Sequence, residues 1–236
     1  MRAHRAYRSI DKLVAIDALV EDTTPSEPDT EARIRDAALR LFAARGYAAT
    51  GIRDVAREAG VTTAALYYYM GGKQDLLLVI MRHGMNGLLA AAREALVDAG
   101  GVPAEELASL VRAHVIFIGR NLLDCYVGDT EIRSLDAANR KRIVKLRDQY
   151  DELWADVISR GVASGGFEIH DQKLFRLGVT QMVNGVAYWY RPGGEKTLAT
   201  IADEFAELAL AMARYGHCSE ATAVVKAPAK RVRQGI

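Results

Sequence analysis

Between Thr50 and Lys73 the chain reads TGIRDVAREAGVTTAALYYYMGGK, and this spacing leaves few folds open. Ile52, Val55, Ala56 and Ala59 recur at helical intervals, Gly60 interrupts them, and a second short run from Thr63 to Tyr69 ends at Gly71-Gly72. Apolar residues three and four positions apart share one helix face. Each run is therefore a short helix with one buried stripe, and the pair is joined by a tight turn at Gly60. Ala56 is small where two helices must approach closely. Val61 and Leu66 anchor the turn and the second helix to a small core. Tyr67, Tyr68 and Tyr69 are consecutive, and successive helical residues point about 100° apart, so at least one must be exposed.

The rest of the sequence is helical as well. Ile34, Ala37, Ala38, Leu41 and Phe42 form one stripe after Thr30, a plausible N-cap followed by Glu31, and Gly46 is a natural stop after Arg45. Further helices are expected from Lys73 to about Val97, Glu105 to Asn121, Asp124 to Leu135, Ala137 to Gly161, Asp171 to Tyr190 and Thr197 to Tyr215. Breaks at Asp98–Pro103, Ser164–Gly166 and Arg191–Gly194 separate them. Ala and Leu recur throughout, and few stretches alternate with period two, so the fold class is all-α. Residues 1–29 carry a weak helical pattern, three arginines and a polar, twice-proline linker. They read as a flexible extension, with a basic DNA-touching arm or an early start codon as other readings. Residues 216–236 read as a disordered basic tail ending in Lys226, Lys230, Arg231 and Arg233.

Several function classes are disfavoured. The net charge of +1 gives no global basic field, although a basic face on one domain is enough for DNA. Cys125 and Cys218 lack metal-ligand spacing and do not form a disulfide framework, which fits a reducing cytoplasm. No apolar run reaches membrane-spanning length, and the basic N-terminus lacks the apolar segment of a secretory signal. There is no Gly-rich phosphate loop, no G-x-S-x-G and no H-E-x-x-H, and the five histidines have no ligand spacing. The expectation is a cytoplasmic protein that is not an enzyme, with no cofactor and no metal.

Two short helices around a glycine turn match the helix-turn-helix signature, in which the second helix offers its N-terminal side chains to base edges. Here the match becomes specific. Gly46-Tyr47, Thr50, Ile52, Val55, Ala56, Ala59-Gly60-Val61-Thr62, Leu66-Tyr67, Tyr69, Lys73 and Leu76 stand at fixed spacing. Residues 30 to about 78 thereby resemble the DNA-binding domain of the TetR family of bacterial repressors. Two positions depart from the family pattern: Met70 stands where Phe is usual, and Gly71-Gly72 replaces a polar helix cap. Met fills similar core space.

The resemblance implies an N-terminal three-helix reading domain, residues 30–80, and a helical ligand-binding and dimerisation domain, residues 81–215. By position, Thr50, Tyr67, Tyr69 and Lys73 would contact phosphates, while Thr62, Thr63, Ala64 and Tyr68 would lie in or near the groove. Core packing is the rival reading for Tyr67, and helix capping for Thr50 and Thr62. The family architecture also implies a homodimer through the last two long helices, where Leu174, Leu177, Met182, Trp189, Ile201, Phe205, Leu208 and Met212 offer apolar faces beside Gly178 and Gly185. The C-terminal third resembles TetR-like regulators of fatty-acid and steroid catabolism, several of which respond to acyl-CoA thioesters. That implies an apolar effector, an acyl-CoA among the candidates. Phe117, Tyr126, Met182 and Tyr188 are candidate lining residues, with His114, Arg120, Asn121, Gln181 and Asn184 as polar contacts. The expected function is a repressor that releases double-stranded operator DNA on binding its effector. A helical small-molecule-binding protein without specific DNA binding is the alternative.

Overall fold

A computed structural model of the chain describes residues 30–214, so the expectations for residues 1–29, the tail and Cys218 lie outside the described residues. Those residues form helices with no strand among them. In chain order these are α1 Thr30–Arg45, α2 Ile52–Glu58, α3 Thr63–Met70, α4 Lys73–Asp98, α5 Pro103–Arg120, α6 Leu122–Thr130, α7 Ala137–Ala163, α8 Gln172–Asn184, α9 Val186–Trp189 and α10 Leu198–Arg214. A 3₁₀ turn, Ile132–Ser134, joins α6 to α7.

The first three helices wrap a small core of Ile34, Ala38, Phe42, Val55, Ala56 and Leu66. The corner between α2 and α3 follows from its residues. Gly60 takes φ +65°, a region that side chains with Cβ atoms avoid. The Gly60 N–H donates to Arg57 O at 3.2 Å and the Val61 N–H to Ala56 O at 2.9 Å, the paired bonds of a Schellman ending. Thr62 then caps α3, its hydroxyl accepting from the Ala65 N–H at 3.1 Å. Arg33 reaches across from α1 to donate to Ala59 O at 2.7 Å, fastening the corner.

α4 runs unbroken from Lys73 to Asp98, so one helix belongs both to the three-helix head before it and to the body. In the body α4, α5 and α7 pack on one another, and α10 lies along α5. Trp154, Leu107, Leu110, Ile143 and Ile158 are buried there. Gly161 lies under the Phe167 ring, where a Cβ would come within 2.1 Å of a ring carbon.

Two helix expectations need correction. The stretch expected as one helix from Asp124 to Leu135 is α6, starting at Leu122, plus the separate 3₁₀ turn. The stretch expected from Asp171 to Tyr190 divides at Gly185, where the Tyr188 N–H bonds three residues back to Gly185 O at 3.0 Å. No helix among the described residues is long and apolar enough to cross a membrane.

Candidate nucleic-acid interface and effector cavity

α3 is held from one side only. Leu66 and Met70, four residues apart, are buried, and the rest of the helix surface faces outward. Tyr68 is 84% exposed, Tyr67 51% and Tyr69 41%, so the tyrosine run is a surface feature throughout. Thr62 and Ala64 are exposed and Thr63 is half-buried. These residues run along the solvent-facing side of α3, from its N-cap Thr62 to its last turn. Lys73, first in α4, sits beside it: its Nζ is 3.5 Å from Ala48 O and 4.1 Å from the centroid of the Tyr47 ring. Partial burial lowers the lysine pKa, with the Glu131 carboxylate opposing.

The expectation for Thr50 is corrected. It is 1% exposed, and its hydroxyl donates to Gly46 O at 2.9 Å, with Leu41 O at 3.3 Å. One hydroxyl hydrogen held between two carbonyls is not available to a phosphate. The sequence reading passed over Arg53 and Arg57, exposed one turn apart on α2, and Arg45, exposed at the end of α1. Basic residues at i and i+4 on the polar face of the first of the paired helices were the available signal.

The head meets the body at a hydrogen-bonded joint. The Tyr47 N–H donates to Glu131 Oε1 at 3.1 Å. The Gln74 amide donates to the Tyr47 hydroxyl at 2.8 Å and to Ser134 O at 2.7 Å, and accepts from the Asp136 N–H at 3.0 Å. α1 packs on α6 behind this joint.

In the body a cavity of about 600 Å³ opens among α4, α5, α6, α7, α8 and α9. Met81, Met85, Leu88, Phe117 and Ile118 supply its apolar wall. Of the nine candidates, His114, Phe117, Gln181, Asn184 and Tyr188 line it, and Arg120, Asn121, Tyr126 and Met182 do not. Asn121 leaves helical geometry and folds its amide back to donate to Phe117 O at 2.8 Å, while Arg120 points to solvent. Met182 follows Gln181 by about 100° around α8, and Tyr126 lies off the Asp124, Cys125, Gly128 face of α6. The sequence reading missed Arg147 and Tyr150 on α7, where Ile143, Arg147, Tyr150 and Trp154 make a helical stripe with a cation embedded in it.

At the buried end of the cavity His114 is 3% exposed. Its Nε2 is 3.0 Å from Asn184 Oδ1 and its Nδ1 is 2.9 Å from the Tyr150 hydroxyl. An amide oxygen only accepts, so Nε2 carries the ring proton, and Nδ1 then accepts from Tyr150. Burial drives the histidine pKa down to about 4, with the Asn184 bond opposing weakly, so the ring is neutral near pH 7. Burial pushes the Tyr150 and Cys125 groups up, which keeps both protonated. Four carboxylates, Asp124, Asp129, Asp148 and Asp151, share the lining with Arg147, which lies 3.6 Å from Asp129. Burial raises the Asp129 pKa, opposed by Arg147 and by the Tyr188 hydroxyl. Among the described residues no group of three or more His, Cys, Asp or Glu is placed to hold a metal ion.

A solvent-facing second helix on a glycine corner, joined to a helical body with a polar-ended cavity, defines a DNA-binding regulator with a sensing domain. The comparisons with known proteins agree. Residues 34–80 match the family described as bacterial regulatory proteins, tetR family, and residues 100–213 match the tetracyclin repressor-like C-terminal domain. The HTH-type transcriptional repressor KstR2 of Rhodococcus jostii strain RHA1 is 31% identical over 193 residues, covering 80% of this chain and 93% of that protein. The crystal structure of the TetR family transcriptional regulator PfmR from Thermus thermophilus is 32% identical, with a TM-score of 0.70 over 76% of this chain and 97% of that one. AibR, solved in complex with isovaleryl coenzyme A and operator DNA, shares the fold at 23% identity, with a TM-score of 0.68 over 76% of this chain and 97% of that one. The chain belongs to the TetR family of helix-turn-helix transcriptional repressors, homodimeric ligand-binding regulators and not enzymes.

Proposed function

We propose that the protein is a cytoplasmic repressor that reads its operator with α3 and releases it when an acyl-CoA occupies the cavity of the body. The observation that carries the DNA half is the outward ridge of α3, held by Leu66 and Met70 with its polar and aromatic residues unburied. In this reading residues 30–80 are the reading head and residues 81–215 the sensing and dimerisation domain. Thr62, Thr63, Ala64 and Tyr68 face base edges, while Tyr67, Tyr69, Lys73, Arg53 and Arg57 hold phosphates.

Pairing of two copies through α8 and α10 is supported by the apolar residues those helices leave exposed. Leu174 and Leu177 on α8, Trp189 on α9, and Leu208 and Met212 on α10 are all exposed, and Trp189 lies 6.1 Å from Phe205, centroid to centroid. A dimer presents two heads to successive major grooves, about 34–36 Å apart or a multiple of that. Ile201, by contrast, is buried and belongs to the protomer core.

The effector class is supported by the apolar wall of the cavity, its size and AibR's isovaleryl coenzyme A. The carboxylates in the lining repel phosphates, so the acyl end enters and the nucleotide stays outside. Those same carboxylates favour one second reading, an apolar effector bearing a cation. The test is a DNA shift assay on the chain's own upstream region with a salt titration, followed by titration of the complex with acyl-CoAs, free fatty acids and cationic amphiphiles. Specific binding released by thioesters supports the proposal. Release by the cations alone selects the second reading, and absence of any shift at low salt leaves a helical small-molecule-binding protein.

A further inference from the structure

The Tyr150, His114, Asn184 chain has a direction, and the direction determines what Asn184 offers to the cavity. Three helices contribute one residue each: α5 His114, α7 Tyr150 and α8 Asn184, at 2.9 and 3.0 Å. The rings of Tyr150 and Trp154 stand nearly edge-on to the imidazole, with centroids 5.4 and 6.1 Å away, and leave it little room to turn. Tyr150 donates, Nδ1 accepts, Nε2–H donates, and Asn184 Oδ1 accepts. The amide oxygen is thereby committed to the protein. The amide NH₂ is left at the cavity lining with two hydrogens that no described group takes.

Most of the surrounding polar lining accepts. Asp124, Asp129, Asp148 and Asp151 are carboxylates, and the Thr180 hydroxyl donates back to Arg176 O at 2.8 Å. Arg147 is engaged by Asp129 and by Gly128 O at 3.0 Å, and Asp151 is paired with Arg176 at 2.8 Å, so the four carboxylates outnumber the two cations that meet them. A ligand group meeting the Asn184 amide must therefore accept a hydrogen bond, and it must be neutral, because an anion would face these carboxylates in a partly desolvated site.

We infer that Asn184 is the specificity-determining residue of the effector cavity, donating to a neutral carbonyl oxygen and so selecting a thioester over the corresponding free acid or thioether. Tyr150 and His114 are positioning residues that fix which edge of the amide faces the ligand. The inference rests on the acyl-CoA reading above and adds the atom by which the ligand is read. It gives the buried neutral histidine a role that its burial alone does not.

The test uses the full chain and the tightest-binding acyl-CoA of the panel. Its partners are the S-alkyl-CoA thioether of the same chain length, which lacks only the carbonyl oxygen, and the free fatty acid. Binding is followed by calorimetry. Wild type is expected to bind the thioester about tenfold or more tighter than the thioether, since a buried donor left unpaired is costly. In Asn184→Asp, which still accepts from the His114 Nε2–H but offers no NH₂, and in Asn184→Ala, the two CoA compounds should bind within about twofold of each other with operator affinity retained; Asn184→Ala should also melt lower, because it leaves the Nε2–H unpaired. Tyr150→Phe, which removes the donor to Nδ1, should lower the preference without touching Asn184. A general loss of packing would weaken both compounds alike and leave their ratio intact. Equal binding of thioester and thioether by wild type, or a preference that survives Asn184→Ala, overturns the inference while the acyl-CoA reading stands. Binding of neither CoA compound overturns both.

Discussion

The reading head and the sensing body are built from the same kind of helix, but the bonds that shape the helix corner of the head are mostly local, Arg33 to Ala59 excepted, while those at the buried end of the cavity join distant helices. In the head, Thr62 caps Ala65 three residues on, Thr50 bonds Gly46 four residues back, and Asp54 accepts from the Gly51 N–H at 3.2 Å. In the body, His114 and Asn184 are 70 residues apart, Tyr150 and His114 are 36 apart, and Glu106 and Arg160, bonded at 2.5 Å, are 54 apart. Local bonds fix the path of the backbone and leave the outer face of α3 unconstrained. Distant bonds tie helices to one another and shape a cavity between them. The two regions therefore differ in what damage does to them, and four measurements probe that difference.

The largest effect belongs to the body core. Trp154→Ala removes an indole with 0% exposure, and should cost about 3–5 kcal/mol in urea denaturation followed by circular dichroism. A loss no larger than that of a surface change would mean that the helices of the body are not locked by this contact.

Next comes acid. The folded chain holds His114 near pKa 4, while an unfolded histidine titrates near 6.5. Above about pH 6.5 neither state takes the proton and the group contributes no pH dependence. As pH falls from 6.5 toward 4 the unfolded state gains the proton first, and stability should drop by about 3 kcal/mol in all, levelling off below 4. Denaturation at pH 7, 5.5 and 4.5 should show this extra slope in wild type and not in His114→Gln. Identical slopes in the two proteins would remove the histidine from the account.

Smaller still is the cap. Thr62→Ala leaves the Ala65 N–H without its partner and should cost about 1 kcal/mol, with weaker operator binding and unchanged effector binding. A parallel fall in effector affinity would break the separation between the two regions. Smallest in stability, but sharpest in readout, is Lys73→Ala. Its contact with the Tyr47 ring is worth about 0.5–1 kcal/mol at an exposed site. Operator binding should lose roughly one unit of salt slope across all sequences. An unchanged slope takes Lys73 off the DNA backbone.

The same contrast explains what could be read in advance. The turn at Gly60, the cap at Thr62 and the apolar stripe through Leu66 have their partners within a few residues, so spacing alone exposes them. Thr50 has this local character too, but a threonine before a helix looks identical whether its hydroxyl faces a phosphate or the Gly46 carbonyl. The cavity is harder because six helices contribute to it. Asn121 carries an amide in the right stretch, yet the chain leaves helical geometry there and the amide turns back on Phe117 O. Arg147 is visible as a cation inside an apolar stripe, but nothing along α7 reveals that Asp129 of α6 faces it. Asn184 and His114 could each be picked out as polar residues on apolar faces, while their pairing is a property of the fold.

The joint between Tyr47, Gln74, Glu131, Ser134 and Asp136 carries one more consequence, for how such a molecule changes over generations. The head meets this corner through a handful of bonds, and Glu131 stands only two positions beyond Asp129 of the cavity lining. None of the cavity-lining residues is among the five bonding residues of that corner. Under the proposed function, substitutions in the lining of α5, α7 and α8 are expected to change which compound is bound while the corner and the head stay as they were. An engineer building a reporter for a new metabolite would vary the lining and leave the five residues of the corner alone.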